Sequence, residues 1–222
     1  MKQVVAGAAP LLKAAGFRKR RHCFNREAEP GLVQVVWFWM GESLPPGPGS
    51  DKHRAFREAL GLRGDYYGTF TIHLGVYVPE MVVHKDEEPR SWVNEYNCQI
   101  RVPIGSLIPP GEDMWWPLDP PDKAGDTAVD VLQEVALPWL DHRTSREAIL
   151  GLWEKVGRLG LGLVTGRDGL VVAWLLKDSD RERAESILRD HIRKEHPSGP
   201  DDYLERVLVD GGFGHLLNEA AN

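Results

Sequence analysis

Residues 31–41, GLVQVVWFWMG, constrain the fold more than any other stretch of the chain. β-Branched and aromatic residues dominate it, so it reads as a strand. A strand sends successive side chains to opposite faces of its sheet, and here both faces receive bulk. Val36, Phe38 and Met40 share one face, while Val35, Trp37 and Trp39 share the other. A sheet containing this strand can bury one face in a core, and the reverse face must then accommodate two tryptophans.

Two more stretches alternate in the same way. YYGTFTIHLGVYVPE sets Phe70, Ile72, Leu74 and Val76 against Thr71, His73, Gly75 and Tyr77. EYNCQIRVPIG sets Tyr96, Cys98, Ile100 and Val102 against Asn97, Gln99 and Arg101, and Pro103 marks a strand end because it cannot donate to a ladder. Upstream, FRKRRHCFNRE is a further extended segment, joined to the opening strand by the turn signature AEPG as a hairpin. In one antiparallel sheet the apolar face collects Phe38, Ile72, Leu74, Cys98 and Ile100. The reverse face collects Trp37, Trp39, Thr71, His73, Asn97, Gln99 and Arg101.

Helical spacing frames these strands. Residues 2–15 carry Val4, Val5, Ala8, Leu11, Leu12 and Ala15 on one face, with Pro10 expected to kink or divide the helix and Gly16 to close it. Residues 125–140 suit a helix ending near Pro138. TSREAILGLWEKVGRL opens with Thr144 or Ser145 as a cap, and DSDRERAESILRDHIRKE is amphipathic. GLVVAWLLKD between them fits a buried strand or a buried helix; a helix is preferred because the next helix begins only a few residues later. The expected fold class is α+β: an antiparallel sheet of about four strands packed by an N-terminal helix, followed by a helical C-terminal part. Residues 1–143 form the α+β domain in this reading, and 144–222 a helical extension packed on it.

At 222 residues, 42% hydrophobic and 27% charged, the chain is long enough to bury a sizeable core. A formal net charge of −6 opposes nonspecific attraction to nucleic acid or anionic membrane. No run approaches the apolar length needed to span a bilayer, and the N-terminal stretch is better explained by an amphipathic helix than by a secretory signal. Cys23 and Cys98 are the only cysteines, so no disulfide framework or thiolate metal site is expected, and reduced, buried thiols in a cytoplasmic protein are the preferred reading.

Most local motifs dissolve on inspection. RKRRH, residues 18–22, splits by alternation into Lys19 and Arg21 on one side and Arg18, Arg20 and His22 on the other, as on a solvated edge strand where basic residues deter edge pairing. GLGLVTGRDG has the wrong glycine spacing for a dinucleotide cradle and reads as a loop. His191 and His196 are five residues apart and do not share the face a zinc helix uses, so neither metal nor cofactor is expected. His73 is the best candidate acid or base, but Glu80 or Glu95 would have to be brought to it by the fold. The pair in EDMWWPLDPPD either anchors a partner or folds over the sheet as a plug.

GFRKRRHCFNRE, GLVQVVWFWMG and GTFTIHLGVYVPE, in that order, resemble the bacterial domain of unknown function DUF4304, over roughly residues 5–150. The resemblance implies a bacterial cytoplasmic α+β protein and brings no catalytic residue. His73 stands where the family pattern has Asn, and Trp37 and Trp39 stand where similar proteins carry polar residues.

Aromatic platforms interleaved with hydrogen-bonding groups suit recognition. The expected function is a noncatalytic binding or protein-interaction module, with Lys19, Arg21, Trp37, Trp39, His73, Gln99 and Arg101 as candidate site residues and a protein or a small polar molecule as partner. Two blander arrangements use the same residues: a solvated face with Arg101 stacked on a Trp, or a second small core beneath the DMWWPL loop. The rival function is an enzyme acting on a small polar or anionic molecule, with His73 as acid or base and Arg101 or Lys19 holding negative charge in a concave pocket.

Overall fold

The computed structural model describes residues 1–41, 66–81, 91–157 and 168–220, together with Ala55 and Ala59. Helix α1 (Lys2–Ala14) runs unbroken through Pro10. It ends because Gly16 takes a left-handed φ of 87°. The Gly16 N–H then donates to Lys13 O at 3.0 Å and the Phe17 N–H to Leu12 O at 2.9 Å, which satisfies carbonyls the helix leaves open.

Among the described residues, six antiparallel strands follow: β1 (Arg18–Arg20), β2 (Cys23–Glu29), β3 (Leu32–Met40), β4 (Thr69–Tyr77), β5 (Ile100–Pro103) and β6 (Trp116–Pro117). The order is β1-β2-β3-β4-β5, with β6 also paired to β4. The basic run is not one extended segment. Arg21, with φ at 56°, turns the chain after three residues, so Arg18–Arg20 folds back on β2 as an exposed edge strand.

EYNCQIRVPIG is likewise shorter as a strand than alternation predicts. Glu95–Asn97 forms a 3-10 turn, and only Ile100–Pro103 joins the ladder. Parity therefore misassigns Cys98. It lies on the reverse side with Cys23, Val35, Tyr77 and Val93, not on the main core face.

Phe24, Val36, Phe38, Ile72, Leu74, Val76, Ile100 and Val102 form the core face. It is covered by α1 and by α2 (Pro121–Val131), whose Ala124 and Ala128 belong to the same buried cluster. The helix does not stop at Pro138. It passes through a π turn at Leu132–Ala136 into α3 (Leu137–Asp141), which carries Pro138 as its second residue. Gln34, fully buried on this face, donates to Leu140 O at 2.6 Å and Arg143 O at 3.0 Å and accepts from Arg26 Nε at 2.7 Å. Arg26 also reaches Ala15 O at 3.0 Å and Asp141 at 2.8 Å, so one polar knot joins the ends of α1 and α3 to the sheet.

The remaining described helices are α4 (Arg146–Val156), α5 (Asp168–Leu176), α6 (Arg181–Glu195), α7 (Asp202–Asp210) and α8 (His215–Ala220). Ser145 caps α4 by accepting from Ala148 N at 3.0 Å, and Asp180 caps α6 through Arg183 N at 3.1 Å. GLVVAWLLKD is helical, buried on nearly every side as α5, and packs against α6 as a helical hairpin. Arg146 ties the start of α4 to the sheet, donating to Glu29 from its backbone and side chain at 2.9 Å each and pairing with Glu80. The Pro- and Gly-rich GESLPPGPGSDKH reads as a loop and Ala55 to Leu60 as a short helix; of these Gly41, Ala55 and Ala59 are described, the two alanines helical, and the loop read over residues 160–167 lies outside the described residues.

Candidate functional site on the reverse face of the sheet

Strand register decides which residues meet on the reverse face. Trp37 is opposite Cys23 on one side and His73 on the other, and His73 is opposite Pro103. Trp39 is opposite Thr71, and Gly75 lies between Val35 and Arg101. Trp37, Trp39, His73 and Arg101 therefore share one face, as alternation predicts.

Half of that face is a small second core. Residues 91–98 cross it, held by two hydrogen bonds that imitate a strand pair: Asn25 Nδ2 donates to Val93 O, and Val93 N donates to Asn25 Oδ1, each at 2.9 Å. The crossing requires Gly75. A Cβ there would stand 2.6 Å from Cys98 Sγ and 2.8 Å from Cys98 Cβ. Cys23, Val35 and Tyr77 from the strands and Val93 and Cys98 from the segment are buried between the two, with Val33, Trp37 and Trp92 packed against them.

The same crossing brings Glu95, 2% exposed, onto the sheet. Arg101 donates to both of its oxygens, Nε to Oε1 at 2.7 Å and an Nη to Oε2 at 2.9 Å. His73 Nδ1 stands 3.6 Å from Oε1. Burial alone would push the Glu95 carboxyl up, but the His73 and Arg101 groups outweigh it and hold the acid below its ordinary range. Glu80, the other carboxylate considered for His73, is instead paired with Arg146.

The other half of the face is aromatic and partly open. Trp37 and Trp39 stack with centroids 5.7 Å apart and planes 10° from parallel, and the His73 ring meets them edge-on at 5.8 and 5.2 Å. The consecutive tryptophans of EDMWWPLDPPD part company. Trp116 enters β6 and packs on Phe70 of the main core at 5.7 Å, while Trp115 lies 5.4 Å from Trp39 and 4.4 Å from Tyr66. Asp113 Oδ2 accepts from Trp115 Nε1 at 2.9 Å and from the Tyr66 hydroxyl at 3.2 Å. Gly105 allows this segment so close: a Cβ there would be 2.3 Å from Glu112 O and 2.7 Å from Met114 N.

Between these groups lies a cleft of about 460 Å³. Trp39, Met40 and Gly41 line it from the end of β3, His73 and Pro103 from the paired β4 and β5, and Tyr66, Asp113 and Trp115 from the segments that flank them. The volume falls within the range of small-molecule sites, roughly 300 to 1,000 Å³. Trp39 is 43% exposed, an unusual state for so large an apolar ring.

Three candidate residues do not join this cluster. Lys19 is opposite Phe24 and so belongs to the core side of the edge strand, and Arg21 is in the turn before β2. Gln99 accepts from Val78 N at 2.7 Å, bracing the end of β4. The groups that sequence alone did not nominate are Asp113 and Tyr66 as walls of the cleft and Asn25 as the clasp; Trp115 entered only as half of a pair read as an anchor or a plug. No local signal marks the clasp, because β2 reads CFNREAE and Asn25 stands beside Arg26 and Glu27 in a largely polar strand. Among the described residues, no three His, Cys, Asp or Glu side chains converge to hold a metal, and no helix is long and apolar enough to cross a membrane.

Residues 55–142 match a family described as a domain of unknown function, DUF4304. The matched part includes His73, Glu95, Arg101, Asp113 and Trp115; Trp37 and Trp39 lie before it. Neither the curated proteins nor the solved structures contain a match to the chain.

Proposed function

We propose that this chain, with its DUF4304 match, is a noncatalytic binding protein of the bacterial cytoplasm whose site is the aromatic half of the reverse sheet face. One observation carries the reading: Trp39, 43% exposed, forms a wall of a cleft completed by Trp115, Tyr66 and His73. Rigid rings offer contact area at little cost in side-chain entropy, and the polar groups between them fix orientation.

His73 also supports a second reading, an enzyme in which it acts as acid or base. Its Nδ1 faces Glu95 at 3.6 Å while the ring borders the cleft, an arrangement in which a carboxylate orients an imidazole. The rest of that reading has less support. Arg101 is committed to Glu95, and Lys19 is on the opposite side of the sheet, so neither is placed to hold an anion in the cleft.

A ligand-observed NMR screen of small polar and aromatic fragments against wild type and Trp39→Ala tests the proposal. Binders lost from the variant support it, whereas an absence of binders, or binders indifferent to the substitution, would count against it. A fragment chemically altered by wild type but not by His73→Gln would establish the enzyme reading instead.

A further inference from the structure

Resting on that reading of the cleft, we infer that its ligand is a small organic cation, an alkylated or protonated ammonium on a compact apolar body. The first ground is charge. Asp113 is an exposed carboxylate at the cleft wall, and its hydrogen bonds come from the neutral donors of Trp115 and Tyr66, both to Oδ2. None of the described lining residues is Lys or Arg. Arg101, the basic residue closest in register, is held by both oxygens of Glu95. Arg20 stands three strands from His73 along the same row, on the order of 14 Å away.

The second ground is the aromatic surround. Trp115 packs against both Trp39 and Tyr66, inclined 59° to the first and 44° to the second, and all three rings line the same cleft. Aromatic faces carry negative potential and attract cations, most strongly for Trp and most of all where water is excluded. An anion would meet those faces and Asp113 with no Lys or Arg among the described lining residues to neutralise it. His73 borders the cleft beside the Glu95–Arg101 pair, whose two charges offset each other.

The test uses the full chain, choline as the cationic probe and 3,3-dimethyl-1-butanol as its uncharged isostere. Indole serves as a neutral planar probe. The Trp39 and Trp115 indole N–H resonances are the readout, assigned from single Trp→Phe variants. Choline should shift both and bind on the order of tenfold more tightly than the alcohol. Asp113→Asn, which retains an oxygen acceptor for Tyr66 and Trp115, should weaken choline by about fivefold or more and leave the alcohol unchanged. Equal binding of choline and alcohol would overturn the cationic ligand, as would choline binding that is indifferent to Asp113→Asn. Shifts with indole but not choline would also overturn it while leaving a binding cleft intact. Silence from all three probes would remove both the cation and the cleft as a binding site.

Discussion

Arg101 and Glu95 form a two-bond ion pair across the reverse face, 2.7 and 2.9 Å long, in which the carboxylate is almost wholly buried and the guanidinium keeps partial access to water. The pair fixes the segment that covers half the sheet and removes the most conspicuous cation from the aromatic half. Structure and site selection thus depend on the same contact.

Its pH signature follows from the direction of the Glu95 shift. The folded acid is held below its unfolded value, so the stability it contributes is present above the unfolded carboxylate range, about pH 4 to 4.5, and is lost as pH falls through the folded value. At pH 7, Glu95→Gln should destabilise by about 2 kcal/mol, because Arg101 then loses its charged acceptor. Urea midpoints followed from pH 7 to pH 3 should show the gap between wild type and variant closing with acid. A constant gap would mean that the carboxylate charge contributes nothing.

Gly75→Ala should be more damaging than its single methyl suggests. The new Cβ would overlap Cys98, 2.6 Å from its sulfur, and no flexible side-chain end is available to move aside. A loss of about 2 kcal/mol is expected from chemical denaturation, the ordinary cost of overpacking a filled core.

Trp37 and Trp39 should separate energetically despite stacking on each other. Trp37 packs on the second core, and Trp37→Ala should lower stability by about 2 kcal/mol. Trp39 is exposed where Trp37 is half-buried, so Trp39→Ala should cost about 1 kcal/mol or less while abolishing ligand binding. Thermal melts beside the fragment titration would check both halves; comparable losses of stability would contradict the division of the face.

Neither thiol should react readily in the folded protein. Burial pushes Cys23 up to about 11 and Cys98 well above its ordinary value, leaving little thiolate near neutrality. Iodoacetamide at pH 8 followed by intact-mass measurement should show no rapid adduct on wild type and two adducts in denaturant. Gly75→Ala, by loosening the segment over the thiols, should label faster than wild type.

Local patterning was enough to lay out the main layers of the fold. Alternation in GLVQVVWFWM and GTFTIHLGVY selected the core face and put Trp37, Trp39 and His73 together on its reverse, because the pleat is a local property that every strand obeys. Helical spacing likewise located α1, α4 and α6, and the few residues before α6 were enough to choose a helix for the apolar run of α5. Local signals failed where an extended run is interrupted. Arg21 breaks the basic segment so that Arg18–Arg20 can pair with β2, and Glu95–Asn97 forms a turn because the chain there is crossing a sheet face instead of extending the sheet.

What covers the second face was decided only by tertiary structure. The clasp joins Asn25 to Val93, 68 residues away, and Gly105 admits the segment that delivers Asp113 and Trp115 to the cleft. Such pairings lie far apart in sequence and leave no period in it. They form because buried polar groups require partners and close approach requires a missing side chain, and both requirements are met only once the sheet has assembled.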